Sequence, residues 1–390
     1  MDVQNQFPSF KDKVYFDSGA SSLTPWPVLK KMEEFYTLYR ANIHRGDHAL
    51  TKKASHEYEE VYSKLARFFH ADEGEFINVR NTTEAVNGVA LGLDWKEGDE
   101  VIVSDFEHHS NLLPWLKLKE KGVRIRVMAS DAQGLLAPDA LSLLLSKRTK
   151  LVAFSACSNV LGASVPVREL AKSAKDNGSL VLLDAAQYVG HHPVDLRQWP
   201  VDYLAFSSHK CFGPTGTGVL YHRAGAPLEP WFLGGGTIRT ASLDSYELIP
   251  TRERFEAGTP AIAEWIGLGA AIDFISKTGH EKIEAHDKEL IVSMLGAFSN
   301  MPKVSLYGPR EARQKSSALF AFNAGKLPPH QTAIMLDQLG FALRSGHHCA
   351  IPVTTKLGVA GTVRASLHLY NTVEQVQKFA DVLGKLSQMG

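Results

Sequence analysis

Short apolar runs alternate with segments of helical periodicity between about residues 75 and 206. The apolar runs end in small or polar residues, which is typical of buried strands. The segments between them carry apolar residues every three or four positions, as amphipathic helices do. This alternation predicts an α/β fold with a mostly parallel sheet of about seven strands, covered by helices, in one large domain.

The pattern changes after about residue 265. A helical segment over 263–299 is followed by short strands and two more helices, an order that predicts a smaller α+β domain. Residues 225–262 are rich in glycine and predict a loop, and residues 134–146 predict a turn and a Leu-rich helix. We therefore expect an N-terminal segment, 1–20, that joins the small domain, a large domain over 21–264 and a small C-terminal domain over 265–390.

Two predicted strands of the large domain end in residues that can carry chemistry. One runs into Ser207-Ser208-His209-Lys210, and the other into Asp184 with Gln187 close behind. Both ends lie at the carboxyl edge of the sheet, where α/β proteins bind ligands. A lysine in a partly dry pocket loses proton affinity and can form a Schiff base, while an aspartate opposite could keep a pyridine nitrogen protonated. Together they indicate pyridoxal phosphate (PLP).

Three other segments allow both a functional and a structural interpretation. Thr82 and Thr83 begin a predicted helix and could bind an anion, or a threonine could simply cap the helix. Of the adjacent His108 and His109, one could lie flat on a planar ligand, or both could be surface residues. The loop around His44 could border an active site or be a solvated connection.

Composition excludes several classes of function. The 390 residues contain 42 Lys and Arg against 42 Asp and Glu, so net charge gives no reason to expect a nucleic acid or an anionic membrane as partner. No apolar run approaches the roughly 20 residues that span a bilayer, and the first ten residues do not resemble a signal peptide. The three cysteines form no Cys-x-x-Cys pair, so we expect no metal site and a reducing, cytoplasmic location.

Jointly, the motifs resemble one family closely: the PLP-dependent cysteine desulfurases of the aminotransferase class V superfamily, in the SufS/selenocysteine lyase-like branch, group II. The likeness covers nearly the whole chain, and it implies PLP-dependent transferase fold type I. Cysteine directly after His-His, without a long insertion, indicates group II. The most specific motifs are Ser207-Ser208-His209-Lys210, Glu107-His108-His109-Ser110-Asn111, Arg254-Phe255-Glu256-Ala257-Gly258-Thr259-Pro260 and Arg344-Ser345-Gly346-His347-His348-Cys349-Ala350.

The resemblance implies a role in PLP binding for several residues. Lys210 would form the Schiff base and later move the substrate's Cα proton, Asp184 would pair with the pyridinium nitrogen, and Gln187 would contact the ring hydroxyl. His108, rather than His109, would stack on the ring and take part in catalysis. The phosphate would be held by Thr82, Thr83, Ser207 and His209, and by Thr259 from the other subunit of a homodimer.

The resemblance also implies how the substrate is handled. L-Cysteine would be bound through its carboxylate by Asn159 and Arg364, with Arg344 near the nucleophile and with His44 and Arg45 at the entrance. Cys349 would attack the substrate sulfur, keep it as a persulfide and release L-alanine. A sulfur-acceptor protein, SufE-like, SufU-like or a scaffold, would then take the sulfur for iron–sulfur cluster assembly or a related pathway.

Some positions and alternatives stay open at this point. The family often has Gly where Ser208 and Ala185 stand and His where Ala156 stands. A selenocysteine lyase, or another class V lyase or aminotransferase that does not need Cys349, would share the Lys210 motif. A non-catalytic scaffold that binds sulfur-transfer partners is the alternative from a different class, and it would not form the Schiff base.

Overall fold

A computed structural model describes residues 3–8 and 13–388. Residues 1–2, 9–12 and 389–390, which belong to the predicted N-terminal segment and the predicted C-terminal domain, lie outside the described part of the chain. The strands in chain order are β1 (Val14–Tyr15), β2 (Phe76–Val79), β3 (Glu100–Ser104), β4 (Arg124–Met128), β5 (Thr149–Ser155), β6 (Leu180–Asp184), β7 (Tyr203–Ser207), β8 (Gly218–His222), β9 (Ile238–Ala241), β10 (Tyr246–Leu248), β11 (Val304–Tyr307), β12 (Leu319–Ala324), β13 (Phe341–Ala342), β14 (Arg344–Gly346) and β15 (Thr362–Ser366). The helices are α1 (Trp26–Leu38), α2 (Ala49–Phe69), α3 (Thr82–Gly92), α4 (Leu113–Lys117), α5 (Val167–Asp176), α6 (Ile262–Thr278), α7 (His280–Ser299), α8 (Pro329–Gln338), α9 (Ile351–Lys356) and α10 (Val373–Ser387).

The predicted large sheet is present. Within the described residues it has seven strands in the order β2-β8-β7-β6-β5-β3-β4. The neighbours from β7 to β4 run parallel, whereas β8 is antiparallel to both β2 and β7. Strands β3 and β7 are buried along their whole length, because helices cover both faces of the sheet. Asp184 at the end of β6 pairs with Ala205 of β7, so the two strands deliver their last residues to one edge.

Helices α1, α2 and α6 form one cover of this sheet. Helix α6 is buried on most sides, which suits a segment as uniformly apolar as Ile262–Thr278. Trp265 of α6 is fully buried against Tyr58 and Tyr62 of α2, with ring centroids 5.9 and 4.9 Å away. These contacts pack α2 and α6 closely against each other.

The C-terminal region has its own sheet and core. Strands β11-β12-β15-β14 form an antiparallel sheet, and α7 and α10 pack together beside it around Phe320, Phe322 and Phe379. From the N-terminal segment, β1 pairs in parallel with β13. The domain limits at residues 20 and 264 remain a prediction, although the α+β character of the C-terminal region agrees with it.

Two local predictions were wrong, and one was confirmed with a break. Residues 134–146 form successive turns rather than a Leu-rich helix; their leucines do not share one buried face, since Leu141 is buried and Leu143 is exposed. Residues 263–299 are helical as predicted, but Gly279 adopts a φ of 86° that ends α6 and separates it from α7. The glycine-rich stretch 225–262 contains the hairpin β9–β10 as well as loops. Among the described residues, no helix has the length and apolarity needed to cross a bilayer.

Candidate active site

A cavity of about 250 Å³ lies where β5, β6 and β7 end, against the C-terminal region. It brings together most of the residues that the sequence singles out, although they come from segments as far apart as 82 and 364. The predicted site residues that line it are Thr82, Thr83, His108, Asn159, Asp184, Gln187, Ser207, His209, Lys210, Arg344, Cys349 and Arg364.

Lys210 and Asp184 form the charged centre of this cavity. Lys210 closes a single 3-10 turn directly after β7, and Asp184 is the last residue of β6. Burial lowers the pKa of the Lys210 ammonium, while the nearby Asp184 carboxylate acts in the opposite direction. Burial likewise raises the pKa of Asp184, against the attraction of Lys210 and a hydrogen bond from the backbone of Ala186 at 2.9 Å. A lysine whose proton is loosely held is suited to act as a nucleophile or a base.

The hydroxyl groups of Thr82 and Ser207 meet at the N-terminus of α3. Their Oγ atoms are 2.7 Å apart, and the Thr82 backbone N–H donates to Ser207 Oγ at 2.8 Å. Asn81 caps the helix through the Glu84 backbone N–H, so the interpretation of a threonine N-cap was wrong. The threonine hydroxyls are therefore not required for capping. Hydroxyl groups at a helix N-terminus can hold an anion such as a phosphate.

The two adjacent histidines of the 107–111 motif have different surroundings. His108 lines the cavity, and its Nδ1 accepts the Ser110 backbone N–H at 3.1 Å. Burial, together with Lys210, lowers the pKa of His108 to about 3, so its imidazole is neutral. His109 instead contacts the segment of Cys349: its backbone N–H donates to the Cys349 carbonyl at 2.7 Å.

Cys349 is the exposed cysteine of the described residues, and it lies on a tight turn at the cavity. His348 and Cys349 both have positive φ, 53° and 55°, which turns the backbone between β14 and α9. The two other thiols are buried, and burial raises their pKa, to about 11 for Cys157 and about 12 for Cys211. Cys349 is therefore the thiol with access to both the cavity and the solvent.

Arg364 extends from β15 into the cavity. Its Nη1 donates to the Asn159 carbonyl at 2.9 Å and its Nη2 to Asp17 Oδ1 at 3.3 Å, while Nε has no partner. Asn159 donates its Nδ2 to the His348 carbonyl at 2.7 Å, and its Oδ1 is buried without a partner. The arginine thus has a free donor in a buried setting, which is favourable for a carboxylate ligand.

A family model described as aminotransferase class-V matches residues 14–379. The chain belongs to this family. Relatives over nearly the full length of both chains include a probable cysteine desulfurase of Pyrococcus abyssi, 44% identical over 99% of this chain and 97% of the relative, and a cysteine desulfurase of Dickeya dadantii, 38% identical over 99% and 96%.

The solved structures that superpose on this chain are also cysteine desulfurases. An apo cysteine desulfurase from Thermococcus onnurineus NA1 superposes with a TM-score of 0.97 at 42% identity, covering 100% of this chain and 98% of the other. A cysteine desulfurase from Escherichia coli superposes with a TM-score of 0.92 at 33% identity, covering 99% and 98%. The predicted fold, PLP-dependent transferase fold type I, is confirmed by these neighbours.

Three residues with predicted roles do not line the Lys210 cavity. His44, Arg45 and Thr259 line a second cavity of about 470 Å³, together with Gly258. All three residues are exposed. Their predicted roles, at the entrance and on the cofactor of another subunit, remain predictions.

Sequence reasoning missed several residues around the Lys210 cavity of the class-V chain. Cys157 is buried but also lines the cavity. Glu107 is buried and accepts hydrogen bonds from the backbone N–H of Ser155, which lines the cavity, at 2.9 Å and from Asn111 Nδ2 at 2.7 Å. Burial raises the pKa of Glu107 to about 7. Its place next to His108 in the motif was the signal that could have identified it.

Outside this cavity, a buried group of His191, Asp287 and His368 has the residue types of a metal site. Asp287 Oδ2 lies 2.6 Å from His191 Nδ1. The two imidazole rings, however, are stacked with centroids 4.1 Å apart and planes 14° apart. Ring nitrogens in parallel planes do not converge on one ion. This arrangement therefore favours packing of His191 against the C-terminal residues Asp287 and His368 over metal coordination.

Proposed function

We propose that this class-V enzyme is a PLP-dependent cysteine desulfurase that converts L-cysteine to L-alanine and keeps the sulfur as a persulfide on Cys349. The observation that carries the proposal is one cavity lined by Lys210, Asp184 and the exposed thiol of Cys349. Full-length relatives at 37–44% identity that bear the name cysteine desulfurase or probable cysteine desulfurase support it.

The residues around the cavity fit PLP. The Lys210 amine has a lowered pKa because of burial, as Schiff-base formation requires. Asp184 can balance a protonated ring nitrogen, and the neutral imidazole of His108 suits contact with a ring face. Thr82 and Ser207 supply hydroxyl donors at the N-terminus of α3, where a phosphate would be held. Gln187 already donates to the Gly19 carbonyl at 2.7 Å, so contact with the ring hydroxyl would need its amide to be shared or turned.

When bound, PLP withdraws electrons from the substrate's α carbon and so weakens the bonds around it. The chain's own residues supply the rest. Arg364, with its unpartnered Nε, binds the substrate carboxylate and orients the substrate. Lys210 Nζ takes the proton from the α carbon and returns it later in the cycle. Asp184 would balance the positive charge of a protonated ring nitrogen.

Cys349 then receives the sulfur. Its thiolate attacks the substrate sulfur, an S–S bond forms and the substrate C–S bond breaks. The electron pair of the broken bond stays with the carbon fragment, which takes up a proton and leaves as alanine. One thiol and one C–S bond are replaced by a persulfide and a C–H bond, so no external oxidant or reductant is needed. The exposure of Cys349 suits transfer of the sulfur to another protein.

The proposal includes a homodimer in which Thr259 reaches the phosphate site of the other subunit. Thr259 is exposed and is not among the residues that line the Lys210 cavity of its own chain, which supports this role. A sulfur-acceptor protein would collect the persulfide sulfur for iron–sulfur cluster assembly or a related pathway. Three free cysteines are compatible with a reducing cytoplasm.

Alanine release from L-cysteine by the purified holoenzyme tests the proposal, with Cys349→Ala beside the control Cys211→Ala, which removes a buried thiol that does not line the cavity. We expect alanine release to stop in Cys349→Ala and to continue in Cys211→Ala. Mass spectrometry of the wild type should show one added sulfur on Cys349. If Cys349→Ala still releases alanine at the wild-type rate, Cys349 is a bystander and a lyase that does not use it is the better assignment. If Lys210→Ala keeps the cofactor's Schiff-base absorption, the assignment of Lys210 is wrong.

A further inference from the structure

Two arginines of the site lie directly opposite each other. In the antiparallel pair β14–β15, Arg344 is the register partner of Arg364. Side chains of directly opposed residues project from the same face of a sheet, and like charges in this position repel. Arg364 is buried, whereas Arg344 is exposed. Burial lowers the pKa of Arg364, and Arg344 contributes in the same direction. A buried guanidinium beside a second cation needs an anionic partner.

Asp17 provides that partner for both arginines. Its Oδ1 accepts from Arg364 Nη2 at 3.3 Å, and its Oδ2 accepts from Arg344 Nε at 3.2 Å. Among the described residues, no other carboxylate forms an ion pair with either arginine. One carboxylate thus separates two opposed cations at the wall of the cavity.

The backbone holds Asp17 in this place. The residue forms a parallel bridge with Ser366, two positions after Arg364. The Ser366 N–H donates to the Phe16 carbonyl at 2.8 Å, and the Ser18 N–H donates to the Ser366 carbonyl at 3.1 Å. The position of the Asp17 carboxylate relative to Arg364 is therefore set by the same strand that carries the arginine. The next residues, Gly19 and Ala20, line the cavity itself.

Only one part of the Arg364 guanidinium is left for a ligand. Nη2 is held by Asp17, Nη1 by the Asn159 carbonyl, and Nε is buried without a partner. Gly19 leaves space beside the guanidinium, because a Cβ built on it would lie 3.2 Å from Arg364 Cζ. With Nη1 and Nη2 each bonded to a partner, the plane of the guanidinium is fixed too, and this plane sets the direction in which the Nε–H meets a carboxylate.

We infer that Asp17 is a positioning residue for substrate binding: it holds Arg364 in the plane that receives the substrate carboxylate and separates Arg364 from Arg344. This inference rests on the proposed function, since it concerns the carboxylate of the proposed amino-acid substrate. Asp17 touches neither the substrate nor the reacting atoms. If Asp17 had a merely structural role and only fastened the N-terminal segment to β15, its substitution would weaken the binding of all ligands alike.

The positioning role and the structural role can be distinguished by comparing the binding of two amines, one with a carboxylate and one without. L-Alanine and ethylamine would each be titrated into purified holoenzyme, with the change in cofactor absorption as the readout. Asp17→Ala should weaken L-alanine binding about tenfold, the loss expected when one charge-assisted contact is removed. Ethylamine binding should stay within twofold. Asp17→Asn keeps the shape and one acceptor oxygen, so it should weaken L-alanine less than Asp17→Ala does. The KM for L-cysteine should rise by the same factors while kcat changes less than twofold.

The matched control is Asp273→Asn. Asp273 forms an ion pair with Lys64, 2.6 Å from Nζ to Oδ2, and does not line the Lys210 cavity. This variant should leave both titrations unchanged. Equal weakening of L-alanine and ethylamine, or no weakening of L-alanine, would overturn the inference. If Asp17→Ala does not fold, Asp17→Asn is judged by the same two criteria. Failure of the proposed function would appear separately, as a wild-type protein that releases no alanine from L-cysteine.

Discussion

The backbone N–H of His109 donates to the carbonyl oxygen of Cys349 at 2.7 Å. This bond joins the 107–111 motif of the large sheet to the turn that carries the exposed thiol. His109 Nε2 adds a second contact, 3.1 Å from the Ile351 backbone N–H. The position of the Cys349 turn therefore depends on a histidine that does not itself line the Lys210 cavity.

His109→Ala should loosen the Cys349 turn without disturbing the cofactor site. The backbone contact survives, but the Ile351 N–H loses its acceptor, a net loss of about 0.5–1.5 kcal/mol for one hydrogen bond. We expect alanine release to fall by roughly two- to tenfold, with unchanged cofactor absorption. His347→Ala, which removes an exposed imidazole from the same turn, is the control and should have little effect. Loss of the cofactor in His109→Ala would show that His109 acts on PLP binding instead.

Ser208 and Gly213 form a second testable pair. A Cβ built on Gly213 would lie 1.9 Å from Ser208 Oγ, and that hydroxyl is buried without a partner. Gly213→Ala should therefore destabilise the protein by about 1–3 kcal/mol, the usual range for overpacking. In Ser208→Gly/Gly213→Ala the clashing atom is gone, and most of this loss should be recovered.

Urea unfolding of the wild type, both single variants and the double variant measures this coupling. An interaction free energy above about 1 kcal/mol is expected for residues in such contact. Additive losses would mean that the backbone, rather than the Ser208 side chain, limits position 213. The variants also test Ser208, a position where the family resemblance leads us to expect glycine.

The strands of the large sheet could be predicted because their sequence signal is local. Strands such as Tyr203–Ser207 are buried along their length, so each residue contributes to one apolar run. Lys210, Asp184 and Cys349 were found because each follows a strand or turn within a recognisable motif. The role of Asp17 could not be found this way, since its contact with Arg364 spans 347 positions in sequence. The Leu-rich run 134–146 misled because composition without a shared face does not make a helix.

Acid should destabilise the protein partly through His348. Burial lowers the pKa of His348 to about 3, against 6.5 for the exposed group, so the folded protein keeps it neutral where the unfolded chain binds a proton. The stabilisation is complete above pH 6.5 and is lost as the pH falls toward 3. Between pH 7 and pH 5 this single histidine should cost about 2 kcal/mol of unfolding free energy.

His348→Gln removes the titrating group and can keep a hydrogen bond to Thr362, which His348 Nε2 contacts at 2.9 Å. The difference in unfolding free energy between pH 7 and pH 5, measured by urea titration of the holoenzyme, should shrink by about that 2 kcal/mol. His56→Gln replaces an exposed histidine and serves as the control, which should keep the wild-type difference. An unchanged difference in His348→Gln would mean that other groups dominate the acid response.

Thr259 offers a test of the subunit arrangement, because its side chain is exposed and lies away from the Lys210 cavity of its own chain. Thr259→Ala should weaken PLP retention about ten- to a hundredfold, the cost of one hydrogen bond to a charged group. Heterodimers made by co-expressing differently tagged Lys210→Ala and Thr259→Ala subunits show whether this contact crosses the interface. If it does, one site combines the intact Lys210 of one subunit with the intact Thr259 of the other and retains PLP like the wild type. If Thr259 serves its own chain, no site in the heterodimer is intact and PLP is lost on dialysis. Cofactor absorption of the purified heterodimer, at half the wild-type amplitude or near zero, distinguishes the two arrangements.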